Sequence, residues 1–132
     1  MTKIDHIGIA TESIEDSKSF WEALGFSSSG GGIVDDQGVK VRYMVNDSET
    51  RIELLEPIST DTPVGRFIDR RGVGIQQLAI SVDDISETIS KLLSMGIRMI
   101  NTEPRTGHGG NKIAFVHPSS SGGVLVELVE YV

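Results

Sequence analysis

The chain has 132 residues, enough for one globular domain with a real core and too few for two independent ones. Its 12 basic and 19 acidic side chains leave a net charge of −7, which argues against a nucleic-acid surface, and its 38% hydrophobic content is that of an ordinary folded protein. It has no cysteine, which excludes a disulfide framework, a thiolate zinc site and a cysteine nucleophile; any metal must be held by His and oxygen ligands. The N-terminus lacks the apolar core of a signal peptide, and no apolar run approaches membrane-spanning length. A cytoplasmic protein with no membrane partner is therefore expected.

In chain order, residues 4–10 alternate apolar and polar side chains, the period of a half-buried strand. A helix follows from Ser13, with Asp16 three residues on as in a capping box, and Phe20, Trp21 and Leu24 as its sheet-facing stripe. Gly25 stands where a helix end needs a left-handed residue. Strands are predicted around residues 32–34, over 39–45 and over 51–57, and residues 59–74 join this half to the next.

The pattern then repeats. Residues 75–81 alternate like 4–10, and a second helix starts at Asp84, with Glu87 three residues on and Ile85, Ile89, Leu92 and Leu93 as its stripe. Gly96 matches Gly25, and strands are predicted around residues 98–100, over 112–116 and over 125–131. Such self-similarity is the signature of a duplicated unit. Each half reads as βαβββ, the first over about residues 3–58 and the second over about 73–132. A four-stranded sheet with one helix leaves a face uncovered. The expected fold is thus α+β: one domain over residues 1–132, whose two tandem βαβββ modules form a curved, mostly antiparallel sheet around a shared cleft.

Residues two apart in a strand share a face. His6 stands opposite to Ile7 and Ile9, so it points away from the helix, and its repeat equivalent is Gln77. Glu53 and Glu127 are equivalent on the last strands. Taken singly, a His at a strand start, a Glu on an alternating strand or a Gln has an ordinary structural role. Their recurrence at equivalent points of a repeat makes them a candidate site. One imidazole, one amide oxygen and two carboxylates suit Co, Mn, Ni, Zn or Mg as divalent ions. Glu56 and Glu130 also match each other, but on the opposite face, and are expected to be solvated.

Five stretches carry a family resemblance: Asp5-His6-Ile7-Gly8-Ile9-Ala10, Ile52-Glu53-Leu54-Leu55-Glu56-Pro57, Val82-Asp83-Asp84-Ile85, Gly109-Gly110-Asn111-Lys112-Ile113-Ala114-Phe115, and His117-Pro118 with Gly122-Gly123-Val124-Leu125-Val126-Glu127-Leu128. Together they resemble the methylmalonyl-CoA epimerases of the vicinal oxygen chelate (glyoxalase/bleomycin resistance/dioxygenase) superfamily, almost end to end. The resemblance implies metal ligands at His6, Gln77 and Glu127, with a fourth at Glu53. Epimerases usually carry His-His where this chain has Gln76-Gln77, which implies weaker metal binding, and commonly Lys where it has Ser119. The implied reaction is proton transfer at C2 of methylmalonyl-CoA or a similar acyl-CoA through a metal-stabilised enolate, with Glu127 as first proton-transfer residue and Glu53 as second. No further acid–base carboxylate stands on the strand over residues 39–45, where Lys40 and Arg42 are the polar choices. The CoA phosphates call for cations, for which Arg71 and Lys112 stand out, with Arg66 and Arg70 nearby. A homodimer is implied as well. The alternatives are a glyoxalase I-type isomerase and a small-molecule-binding protein of the same fold without catalysis.

Overall fold

A computed structural model describes residues 2–132. The elements run β1 (Lys3–Ala10), α1 (Ile14–Ala23), β2 (Ser27–Val34), β3 (Val39–Val45), β4 (Arg51–Pro57), α2 (Pro63–Arg71), β5 (Gly74–Ser81), α3 (Ile85–Ser94), β6 (Arg105–Thr106), β7 (Lys112–Val116) and β8 (Val126–Glu130). The class is mixed α+β. The chain divides into two compact units, residues 6–76, and residues 77–132 with the N-terminal residues up to Asp5. Among the described residues, no helix is long and apolar enough to cross a membrane.

The first unit orders its strands β2-β3-β4-β1, antiparallel except for the parallel β4–β1 pair. The second orders them β6-β7-β8-β5, again antiparallel except for the parallel β8–β5 pair. The duplication read from the sequence is therefore present in the pairing itself.

Local chemistry explains the matching helices. The Ser13 hydroxyl accepts from the Asp16 N–H, and the Asp84 carboxylate accepts from the Glu87 N–H. Beyond the C-termini, Gly25 and Gly96 take positive φ, at 100° and 79°. Gly25 N–H then reaches Glu22 O, and Phe26 N–H reaches Trp21 O; Gly96 and Ile97 repeat both bonds onto Leu93 and Leu92. This double return satisfies carbonyls the helix leaves open, and it is joined by packing of Phe26 against Trp21, edge-on at 5.7 Å.

Four expectations need correction. Glu56 and Glu130 are not solvated bystanders: each carboxylate accepts from the first helical N–H, of Ile14 and Ile85 respectively, at 2.8 Å. A negative charge at a helix start also opposes the positive end of the helix dipole. The match between these two acids thus reflects a repeated cap. Replacing Glu130 by Ala should leave the Ile85 N–H without this acceptor and cost about 1–2 kcal/mol. Chemical denaturation measures this, and an unchanged midpoint would show that water serves the N–H equally well.

The α1 stripe is also different. Ile14 is fully buried, with Trp21 beside it against Met44, Ile52 and Leu54, but Phe20 is 60% exposed and Leu24 59%. Helix rotation is decided by Ile14, directly after the cap, rather than by the larger residues near the end. In the second unit, Ile85 and Ile89 are buried and Leu92 packs against the core, whereas Leu93 is partly exposed.

The strand expected around residues 98–100 reduces to an isolated bridge between Met99 and Val116, and the outer strand is β6, later in the chain. The Asn101 side chain accepts from the Phe115 N–H and so takes a donor that a continuing strand would need. Pro104 then lacks an N–H of its own.

The joining stretch of residues 59–74 contains α2. The Thr62 hydroxyl accepts from Gly65 N–H, Pro63 occupies the first turn, and Gly72 follows the last. Val64, Phe67 and Ile68 form one stripe that packs on Ala10, Val41 and Leu55. By the alternation of the strands, those three residues share the face of His6 and Glu53. Within the first unit, α2 therefore covers one end of that face.

Candidate functional site

The first unit places His6 on β1 and Glu53 on β4, both buried, at 4% and 6% exposure. The parallel register sets His6 beside Arg51 and Gly8 beside Glu53. His6 Nε2 lies 3.3 Å from Glu53 Oε1. Ile7, Ile9, Ile52 and Leu54 fill the opposite face under α1, which is why the alternation sends both polar side chains the other way.

The second unit repeats the arrangement. Gln77 on β5 and Glu127 on β8 are buried, at 8% and 7% exposure, and the Gln77 amide donates to Glu127 Oε1 at 2.9 Å. Leu78, at the start of the β5–β8 register, pairs with Val126, and Ala79 pairs with Glu127. Each unit thus buries one carboxylate against one nitrogen-bearing side chain at equivalent points of the repeat. In the same unit, the Tyr131 hydroxyl donates to the buried Asp5 carboxylate.

Burying a carboxylate costs several kcal/mol unless charge or hydrogen bonds compensate it. The Gln77 bond to Glu127 comes from a neutral amide. Within each unit, the side chains paired here, His6 with Glu53 and Gln77 with Glu127, are of types that suit a hard or borderline divalent cation. Among the described residues, no group of three or more His, Cys, Asp or Glu side chains is clustered to hold a metal ion.

The other expected residues are placed less centrally. Arg71 ends α2 and is exposed, next to the exposed Arg70. Arg66 bonds Asp61 at 3.1 Å. Lys112 lies opposite Glu130 in the β7–β8 register, with its ammonium 3.7 Å from that carboxylate; it therefore shares the α3 side of the sheet, and Glu127 faces the other side.

Two site-face residues escaped the sequence reading. Lys40 and Arg42, its polar choices on β3, face α1: Arg42 bonds Ser28. The Glu15 carboxyl on α1 is held below its ordinary value chiefly by its hydrogen bond and charge contact with Lys18, and further by Arg42 and Lys40. Tyr43 is the β3 residue opposite Glu53, and its ring stands edge-on to His6 with centroids 6.1 Å apart. The Arg51 guanidinium lies over that ring, 4.3 Å from its centroid. The period of two reaches Arg51 from Glu53; only the β3–β4 register brings in Tyr43.

Residues 5–115 match the family model of the glyoxalase/bleomycin resistance protein/dioxygenase superfamily. The chain is 39% identical to the uncharacterized protein YqjC of Bacillus subtilis (strain 168), over 98% of this chain and 93% of that one. It is 34% identical to the mitochondrial methylmalonyl-CoA epimerase of Mus musculus, over 96% of this chain and 71% of the relative. A solved structure of Streptomyces coelicolor methylmalonyl-CoA epimerase in complex with 2-nitronate-propionyl-CoA superposes with a TM-score of 0.94 at 33% identity, covering 100% of this chain and 96% of that one.

Proposed function

The chain belongs to the glyoxalase/bleomycin resistance protein/dioxygenase superfamily and to its methylmalonyl-CoA epimerase branch, and from this premise we propose that it is an isomerase acting at C2 of methylmalonyl-CoA or a similar 2-substituted acyl-CoA. The observation that carries the reading is the pair of buried carboxylates, Glu53 and Glu127, each set against a nitrogen-bearing side chain at equivalent points of a duplicated fold.

His6, Glu53, Gln77 and Glu127 are the proposed ligands of one divalent ion. Such an ion supplies Lewis acidity toward the acyl oxygens, which makes the C2 proton easier to remove. Glu127, loosened from the ion, would take that proton as general base, its carboxylate oriented by the Gln77 amide. Glu53, also off the ion and carrying a proton taken from solvent, would return that proton to C2 on the opposite face, and Glu127 would release its own to solvent. Arg71 and Lys112 are the proposed contacts for the CoA phosphates, Lys112 at the expense of its pairing with Glu130. The proposed assembly is a homodimer, in the cytoplasm.

The test is proton–deuterium exchange at C2 of methylmalonyl-CoA, with divalent metal added and with chelator. Exchange that requires metal supports the reading; no exchange at any metal concentration overturns it. A further measurement addresses the ligand set. Replacing Gln77 by His exchanges a neutral amide oxygen for an imidazole, the better donor to borderline metals. Titration should show tighter binding of Co²⁺ or Ni²⁺, and an unchanged affinity would remove Gln77 from the set.

A further inference from the structure

In the first unit, α1 and the turn after it gather the rings of Phe20, Trp21 and Phe26, with Trp21 5.2 Å from Phe20 and 5.7 Å from Phe26 between centroids. Trp21 and Phe26 pack on Ile14, Met44, Ile52 and Leu54. The second unit repeats the backbone but not the side-chain volume. Counted from the matched Gly25 and Gly96, the equivalents of Phe20, Trp21 and Phe26 are Lys91, Leu92 and Ile97. Met44 pairs with Ile52 and Val116 with Val126, which makes Val116 the equivalent of Met44. Lys91, Leu92, Ile97 and Val116 all line a pocket of about 370 Å³ on the α3 side of the sheet. The pocket lies where the repeat has lost its rings.

We propose that this pocket is a binding site for an aliphatic monocarboxylate of the medium-chain fatty-acid class. Its remaining walls are aliphatic, from Ile80 and Val82 on β5 and Val126 and Leu128 on β8. Ile80, Val82, Leu92, Ile97 and Val126 are only partly buried, so an alkyl chain would cover apolar surface that the protein leaves to water. No aromatic side chain lines the pocket, which suits a flexible chain better than a flat ring that gains by stacking. A volume near the lower end of ligand pockets limits the chain to about six to ten carbons. The polar lining is Thr2, Thr88, Lys91, Ser120 and Ser121. Thr88 and Ser121 already donate their hydroxyl protons, to Asp84 O and Val124 O. Ser120 Oγ accepts from the Arg98 N–H at 2.9 Å and keeps its own proton to give. Lys91 brings a positive charge, and among the described residues its ammonium is in no ion pair. One cation with one hydroxyl donor matches the single charge and two oxygens of a carboxylate. Val126 and Leu128 flank Glu127, which faces the other side of β8, so the pocket is separate from the candidate site.

The experiment is calorimetric titration of the whole protein with hexanoate, octanoate, decanoate and octanol. Affinity should rise about 3- to 4-fold for each methylene added between hexanoate and octanoate, the worth of burying that group. Octanoate should bind about 3- to 10-fold more tightly than octanol, the share of a half-exposed charge contact. Lys91→Gln, at an exposed position, should remove that advantage and leave octanol binding unchanged. Leu92→Trp restores the ring found at the equivalent position of the first unit and should lower octanoate affinity by about 10-fold or more, because the ring takes the space of several methylenes. Ile97→Phe, a smaller filling, should lower it about 3-fold, and circular dichroism checks that both variants are folded. The proposal is overturned by no binding of octanoate at millimolar concentration, by an affinity that ignores chain length, or by full affinity in a folded Leu92→Trp or Ile97→Phe protein. Sedimentation of the same samples tests the other occupant, a second copy of the chain. Absent octanoate binding together with a dimer that Lys91→Glu separates would assign the pocket to that contact and overturn the proposal.

Discussion

Glu127→Gln should lower the rate of C2 exchange by about 10²–10⁴, the usual contribution of a positioned general base. The substitution preserves the size of the side chain and an oxygen toward the site, but removes both the negative charge and the basicity. Gln77 now donates to Glu127, and an amide oxygen at position 127 can accept the same bond. The local packing should therefore survive. Some of the loss could arise from weaker metal binding, so ion occupancy is measured on the same sample. Exchange near the original rate with metal bound would move the base to Glu53 or elsewhere. The companion substitutions His6→Ala and Glu127→Ala should each abolish binding of the same single ion per chain; two ions that respond separately would refute a common ligand set.

Leu54→Ala should have the largest effect on stability. Leu54 is 0% exposed and packs with Ile14, Met44 and Ile52 beneath α1. Deleting a fully buried Leu side chain to Ala costs about 2–5 kcal/mol, because the transfer energy of the lost methyl groups adds to the cavity they leave. The unfolding free energy should fall by that amount, read as a lower denaturation midpoint with an unchanged slope. Leu24→Ala, at a 59% exposed position, should change stability by less than about 0.5 kcal/mol. Comparable losses at the two sites would mean that α1 is rotated from the position described above.

These two leucines mark how far the sequence can be read. The alternation around Glu53 puts Leu54 on the face opposite that acid, since a strand permits only two faces and the period is two. The α1 stripe was misjudged because a helix permits a continuous range of rotations. Ile14 won that competition through its place after the Ser13 cap, where the Glu56 carboxylate engages its N–H. Glu56 and Glu130 were seen to match, yet their role was invisible, because a cap supplied from 42 or 45 residues away depends on which strand end meets which helix start. For α2 the signals were present: a Thr62 cap, Pro63 in the first turn, Gly72 after the last, and apolar residues at 64, 67 and 68.

By itself, the sequence determined the duplicated α+β plan, the positions of the helix caps and Gly stops, and the faces of His6, Glu53, Gln77 and Glu127. Each follows from neighbouring residues through a period, a cap or a turn, and such interactions close within a few residues. Tertiary structure decided the partners: Gln77 for Glu127 in one unit, and in the other His6 for Glu53, with the Arg51 guanidinium over Tyr43. Strand register sets those pairings. Register depends on how whole strands bury their apolar faces together, so a slip of one residue would turn every one of these side chains to the other side.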